Sequence, residues 1–328
     1  MTELLVLTDA HVGELVDYGE AIEVVEDAFR DFGQGRATMP SKVYLSFPQY
    51  RGDLRAMPAA TGDRYAGVKL VNSHEENPSR GLPAVIGTYL LFSQETGIPL
   101  CLMAATLLTA IRTGAASGVA SKHMAREDAL SVGLLGAGVQ AAHQLRAVSR
   151  VRSLQEVLVW AREVDRSRTE SLVAGLQVEY PDLRIRIADS AAEAAASDIV
   201  CTTTPSRAPL FLAEALSEGA HINAVGADGP GKQELDPEIL KTGRVVVDEM
   251  DQAIHGGEVN VALGSDAISV DQIAGTLSDV VLGTIPGRTS QTETTVFDST
   301  GLAIQDIALA ILVYERALDA GLGSTVGL

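Results

Sequence analysis

The run Ser131-Val-Gly-Leu-Leu-Gly136-Ala-Gly138-Val-Gln-Ala141 constrains this chain more than any other stretch. A short apolar segment that reads as a strand leads into the spacing G-x-G-x-x-A, and a helical pattern follows. Gly136 permits a tight turn, Gly138 lets backbone approach a pyrophosphate, and the small Ala141 lets helix and strand pack closely. The charge of such a ligand would rest at the positive end of the helix. A second strand ends at Trp160, so the spacing predicts a dinucleotide-binding strand-helix-strand unit.

The surroundings agree with that unit. From about residue 126, short apolar runs alternate with helical stretches: 131–135, 157–160, 185–187, 199–203, 222–225 and 245–247, with a last strand at 295–298. Continuous apolar strands in βα order predict a parallel sheet covered by helices on both faces, a doubly wound Rossmann α/β fold. Upstream the pattern is mixed. Ile22, Val25, Phe29 and Phe32 recur at helical spacing within 14–32, and Gly33 and Gly35 end that helix. Residues 42–72 read as short strands broken by turns, 84–92 and 98–103 as a hairpin, and 106–124 as a tightly packed Ala/Gly helix. A final amphipathic helix spans 302–318.

Charge narrows the partners. The 328 residues carry 25 Lys+Arg against 43 Asp+Glu, a formal net charge of −18. Such a field repels nucleic acid and anionic membrane surfaces, so neither is expected as a partner. Only five of the basic residues are Lys, a composition that suits a salt-rich cytoplasm. Cys101 and Cys201 lie in apolar stretches and read as buried thiols of a reducing compartment. Glu3 and Asp9 interrupt the first apolar run, so no cleavable leader is expected. The longest apolar stretch stops at Arg112, too short to span a bilayer. The expectation is a cytoplasmic protein. His74 and His221 have no metal-ligand spacing, and no metal site is predicted.

The residues after the second strand bear on cofactor choice. An NAD site usually has an acid there for the ribose 2′-hydroxyl. This chain has Trp160-Ala161-Arg162, followed by Glu163. Arg162 could pair with a 2′-phosphate, which favours NADP(H) over NAD(H); Glu163 could instead serve the ribose.

Further strings along the chain are Val68-Lys69-Leu70-Val71-Asn72-Ser73-His74, Ile111-Arg112-Thr113-Gly114-Ala115, Asn223-Ala-Val-Gly-Ala-Asp228-Gly-Pro-Gly-Lys232-Gln-Glu-Leu-Asp236, Gly257-Glu258 and Val296-Phe-Asp-Ser299-Thr-Gly301. In order and spacing, together with the glycine fingerprint, they resemble the ornithine cyclodeaminase/mu-crystallin family over nearly the whole length. The resemblance implies a homodimer. It also implies a Rossmann domain of residues 126–301 and a mixed α+β substrate and dimerisation domain of residues 1–125 and 302–328, with the active site in the cleft. Lys69 and Arg112 match the family's substrate-carboxylate residues, Lys42 stands where the family has Arg or Lys, and Arg55 joins this basic group. Asp228 matches the catalytic carboxylate, and Lys69 is a second catalytic candidate as a general acid or base. Cofactor positions carried over are Arg112, Gly136, Gly138, Val139, Gln140, Thr202, Val225, Lys232 and Ser299. Thr113 and Gly114, read as a helix start beside Arg112, are candidates for the phosphates.

The chemistry also follows from residue types. A nicotinamide enzyme acting on an amino acid must hold a carboxylate, deprotonate the amine and aim the Cα hydrogen at the cofactor. Basic residues near strands stand out as an anion site in so acidic a chain. Within the family, ornithine enzymes place an acid just before a Met-Pro pair to bind the second amine. Here the string is Arg55-Ala-Met57-Pro58, and a cation would repel a terminal ammonium. The resemblance therefore leans to archaeal-type alanine dehydrogenases, with ornithine cyclodeamination, reduction of cyclic imines such as pyrroline-2-carboxylate, and cofactor binding without turnover as alternatives.

Overall fold

The computed structural model describes residues 3–328. The chain opens with strand β1 (Glu3–Leu7) and helices α1 (Asp9–Leu15) and α2 (Tyr18–Gly33). Strands β2 (Ala37–Thr38), β3 (Val43–Phe47), β4 (Gly52–Thr61), β5 (Tyr65–His74), β6 (Val85–Ser93) and β7 (Pro99–Ala104) follow, then helix α3 (Thr106–Met124). The expected helix over 14–32 is two helices, because Asp17 caps a new one by accepting from the Gly19 amide at 2.7 Å.

The second half runs β8 (Ser131–Leu135), α4 (Val139–Val151), β9 (Glu156–Trp160), α5 (Arg166–Glu179), β10 (Arg184–Ile187), α6 (Ala191–Ala195), β11 (Ile199–Thr202) and β12 (His221–Ala224). It continues through α7 (Pro237–Thr242), β13 (Arg244–Val247), α8 (Met250–Gly256), α9 (Val259–Gly264), β14 (Ile273–Thr276), α10 (Leu277–Leu282) and β15 (Thr295–Asp298). Helix α11 (Ala303–Ala320) and strand β16 (Ser324–Gly327) close the chain.

These elements form two units, Met1–Arg112 with Leu302–Leu328, and Thr113–Gly301. The division falls inside α3 rather than at residue 125. The later turns of α3 are bound to the second unit: Arg152 donates to the carbonyls of Ser121 and Ala125 at 2.8 Å, and Asn223 donates to the Ser121 hydroxyl at 3.0 Å.

In the first unit, the strands order as β16-β1-β7-β6-β5-β4-β2, with β3 also on β4. All neighbours are antiparallel except β1 and β7. Side chains alternate across the sheet, and on β5 the buried positions are Tyr65, Gly67, Lys69 and Val71. Register sets Met57, Lys69, Tyr89 and Met103 side by side in one row across β4, β5, β6 and β7. Helix α11 packs on β4, β5 and β6. On the opposite face Val43, Leu45, Leu70 and Ile86 are exposed.

The second unit is an eight-stranded sheet, β10-β9-β8-β11-β12-β15-β13-β14, with every neighbouring pair parallel. Its strands are buried on both faces. Leu134, Ile199 and Cys201 join one apolar cluster, while Leu135, Val200 and Ile222 join another. Strand order reverses between β8 and β11, which makes the carboxyl edge there the ligand-binding position of an open α/β sheet. The doubly wound parallel sheet with a second, mixed domain is therefore present. Strands β14 and β16 had no readable signal, since the first contains Ala-Gly and the second is a short, exposed edge strand.

Candidate active site

In the first unit a buried charge cluster forms on the helix-covered face of the sheet. Lys69 Nζ donates to Asp306 Oδ1 at 2.7 Å, and Arg112 Nε donates to the same oxygen at 2.9 Å. Arg112 Nη1 donates to Gln305 Oε1 at 2.9 Å. Lys69 and Asp306 are fully buried, and Arg112 nearly so. Burial draws the Lys69 ammonium down to about 7, Arg112 and Lys42 add repulsion, and Asp306 opposes the shift. The Tyr89 hydroxyl, Asp306 Oδ2 and Gln305 Nε2 are buried and hydrogen-bond to no described residue. Burial first, then the Asp306 charge, pushes the Tyr89 phenol well above its ordinary value.

Arg55 shares the Lys69 face of the sheet but is turned to a different partner. Its guanidinium grips Asp53 in a fork, both contacts at 3.0 Å, and lies over the Tyr44 ring at 5.4 Å. The charge expected to repel a second amine is thus largely offset by Asp53.

The second unit gathers the other candidates at the carboxyl edge of its sheet. Gly136 follows β8 with φ +117, and a Cβ there would lie 2.7 Å from Thr203 Oγ1. Gly138 caps α4 without any side-chain bond, and a Cβ there would meet open space. Ala141 is fully buried, and Val139 is exposed at the first helical position. This cradle fits a dinucleotide pyrophosphate: an uncapped helix N-terminus, open approach at Gly138 and close packing at Ala141. Thr202 ends β11, Val225 follows β12, and Ser299 follows β15 with its buried hydroxyl bonded to no described residue. Gln140 lies in the first turn of α4, where its side-chain oxygen accepts from Gln144 at 3.5 Å. Arg162 follows β9, 71% exposed, and is paired with Asp165 at 3.0 Å.

Asp228 sits two residues beyond Gly226, whose carbonyl accepts its amide at 3.1 Å, and its carboxylate contacts the Lys232 ammonium. Lys232, a cofactor candidate, thus turns to Asp228. Thr113 and Gly114 are not at a helix start. They lie in the middle of α3, which begins at Thr106, so their amides belong to helical hydrogen bonds and the amide argument for phosphate binding falls.

Four site-shaping residues had escaped the sequence reading: Asp306, Tyr89, Asp53 and Glu234. Glu234 is fully buried and clamps two strand ends. Its carboxylate accepts from the Thr204 amide at 2.6 Å and hydroxyl at 2.7 Å, and from the Gly226 amide at 2.8 Å. Glu258 in turn accepts from the Glu234 and Leu235 amides. Burial raises both acids, Glu258 well above its ordinary value because the Glu234 charge adds to burial. Asp306 had one readable signal: it sits on the apolar stripe of α11 with Leu302, Leu309 and Val313, an unusual place for an acid.

Cys101 and Cys201 are buried and free, each thiol pushed up to about 12 by burial, which leaves them poor nucleophiles. His221 is buried between Thr295 and Asn223. Among the described residues, no helix is long and apolar enough to cross a membrane, and no group of three or more His, Cys, Asp or Glu side chains could hold a metal ion.

Comparison with known proteins extends the picture. The model of the ornithine cyclodeaminase/mu-crystallin family matches residues 2–321. Alanine dehydrogenase of Archaeoglobus fulgidus is 48% identical over 324 residues, covering 99% of this chain and 98% of that protein. A solved archaeal alanine dehydrogenase dimer with bound NAD superposes with a TM-score of 0.94 at 47% identity, covering 99% of both chains. Delta(1)-pyrroline-2-carboxylate reductase of Thermococcus litoralis, solved with NADH and L-proline, superposes with a TM-score of 0.95 at 36% identity, covering 98% of this chain and all of that one (100%).

Proposed function

This chain belongs to the ornithine cyclodeaminase/mu-crystallin family, and from that membership we propose that it catalyses the reversible oxidative deamination of a small L-amino acid, L-alanine first, to pyruvate and ammonia. The observation that carries this reading is the buried meeting of Lys69 and Arg112 on one carboxylate oxygen. In a chain of net charge −18, two cations brought together on a covered face favour capture of a carboxylate. The similarity to archaeal alanine dehydrogenase supports the small substrate, as does the presence of Arg55, not an acid, just before the Met57-Pro58 pair.

The cofactor proposed is a nicotinamide dinucleotide, held by Gly136, Gly138, Val139, Gln140, Thr202, Val225 and Ser299. When bound, it accepts the hydride that the substrate Cα loses. Arg112, with Lys42 nearby in charge, holds the substrate carboxylate. Lys69, poised near neutrality, takes a proton from the substrate ammonium and so frees the nitrogen lone pair. Asp228 accepts a proton from the water that attacks the resulting imino carbon, and ammonia leaves. Arg162 after β9, with no acid between it and Trp160, favours NADP(H); the NAD and NADH bound to the related structures weigh the other way. The exposed apolar side chains Val43, Leu45, Leu70 and Ile86 on one face of the sheet support a homodimer, the assembly of the related archaeal structure.

A second reading, reduction of a cyclic imino acid, draws on the similarity to the pyrroline-2-carboxylate reductase and uses the same carboxylate grip. An assay panel separates the two. Alanine with NAD⁺ or NADP⁺, pyruvate plus ammonia, ornithine, and pyrroline-2-carboxylate with NADH or NADPH are supplied in turn. Highest kcat/KM with alanine and pyruvate is expected, with a lower KM for NADPH than for NADH. Faster turnover of pyrroline-2-carboxylate overturns the first choice of substrate, ornithine converted to proline at a good rate overturns the small-substrate reading, and a lower KM for NADH overturns the cofactor preference.

A further inference from the structure

We infer that Asp306, supplied by the C-terminal helix α11, is the positioning residue of the carboxylate grip: one of its oxygens fixes Lys69 and Arg112 in place and stabilises the ammonium that Lys69 becomes when it takes up the substrate's proton. The inference rests on the proposed roles of Lys69 and Arg112.

Three observations carry it. Both cations bond the same oxygen, at 2.7 and 2.9 Å, from different elements, β5 and α3. All three groups are buried, so water neither screens nor replaces these contacts. The neighbouring Gln305 holds the far side of the Arg112 guanidinium at 2.9 Å, so two consecutive residues of α11 set its plane. Charge then decides what the cluster can hold. With Lys69 protonated, two cations and one carboxylate leave a single positive charge, matched to one substrate carboxylate. With Lys69 neutral, the cluster carries none. The proton on Lys69 is therefore coupled to substrate binding.

The charged and titratable groups that face Lys69 are Arg112 from α3, Asp306 from α11, Lys42 from the segment before β3, and Tyr89 from β6, its register neighbour. Arg112 and Lys42 disfavour the ammonium, and Asp306 is the anion that favours it. Removing that one negative charge while keeping the side-chain shape moves the Lys69 ionisation to lower pH, because the ammonium loses its stabilising partner.

The test compares wild type, Asp306→Asn and Asp306→Glu by the pH dependence of kcat/KM for alanine, with nucleotide binding to each protein followed by fluorescence to verify folding. Asp306→Asn is expected to move the limb near pH 7 downward by about one unit or more, and to lower kcat/KM at pH 8 by about tenfold or more. Asp306→Glu should recover part of both. Calorimetry of pyruvate binding in the presence of NAD(P)⁺, in buffers of different ionisation enthalpy, gives a readout without turnover: proton uptake near pH 7 in wild type, and less in Asp306→Asn. A folded, active Asp306→Asn whose limb and proton uptake are unchanged overturns the role of Asp306 alone. Wild type that neither turns over alanine nor binds pyruvate overturns the underlying reading as well.

Discussion

Lys69 occupies a row whose other members are Met57, Tyr89 and Met103. An ammonium in such a row costs several kcal/mol unless it is paired, and Asp306 supplies the pair. Asp228 differs in kind. It lies on a turn, its side chain is about one-third (33%) exposed, and its partner Lys232 is four residues on. Asp228→Asn keeps the shape and removes the proposed base. Turnover is expected to fall by about 10²–10⁴-fold, with the dissociation constant for NAD(P)H changed little. Steady-state rates and fluorescence titration measure the two. Activity retained near wild type would refute the catalytic role.

At the scale of elements, the carboxyl edge of the parallel sheet works because its strand ends are tied together. Glu234 joins the ends of β11 and β12 through Thr204 and Gly226, and the turn bearing Asp228 starts from that knot. Gly226 is required by close approach: a Cβ there would lie 2.1 Å from the Thr204 carbonyl oxygen and 2.5 Å from Glu234 Oε2. Gly226→Ala should cost about 1–3 kcal/mol of stability through overpacking and depress kcat by displacing Asp228. At Gly229 nothing stands within 4 Å of a Cβ, so Gly229→Ala should change stability by no more than about 0.5 kcal/mol. Urea unfolding of the two variants compares them, and equal stability would mean that the knot yields.

For the whole molecule, the excess of acids sets the response to salt. A net charge of −18 repels itself in the folded state, and few lysines are available to offset it. Raising ionic strength from about 0.1 M to 1 M shortens the Debye length from about 10 Å to about 3 Å. The thermal midpoint should therefore rise by several degrees over that range of KCl, and sulfate should raise it more by strengthening apolar burial. A midpoint that falls with KCl would show that attractive ion pairs such as Arg146–Glu179 and Arg316–Glu20 outweigh the repulsion.

What the linear order of residues determined was whatever depends on neighbours: the parallel strands, because continuous apolar runs need burial on both faces, and the turn at Gly136, because its spacing demands a left-handed glycine before a helix. Family strings such as Val68–Asn72 marked Lys69 and Arg112 as basic residues of interest. Tertiary structure alone decided their partners. Asp306 lies 237 positions from Lys69 and 194 from Arg112, and no local periodicity encodes such a meeting. Arg55 shows the same limit at short range. Asp53 is two residues away, yet only the shared face of an extended strand aims the two side chains at each other. Pairing of buried charges follows from which elements pack, and packing is a property of the assembled chain.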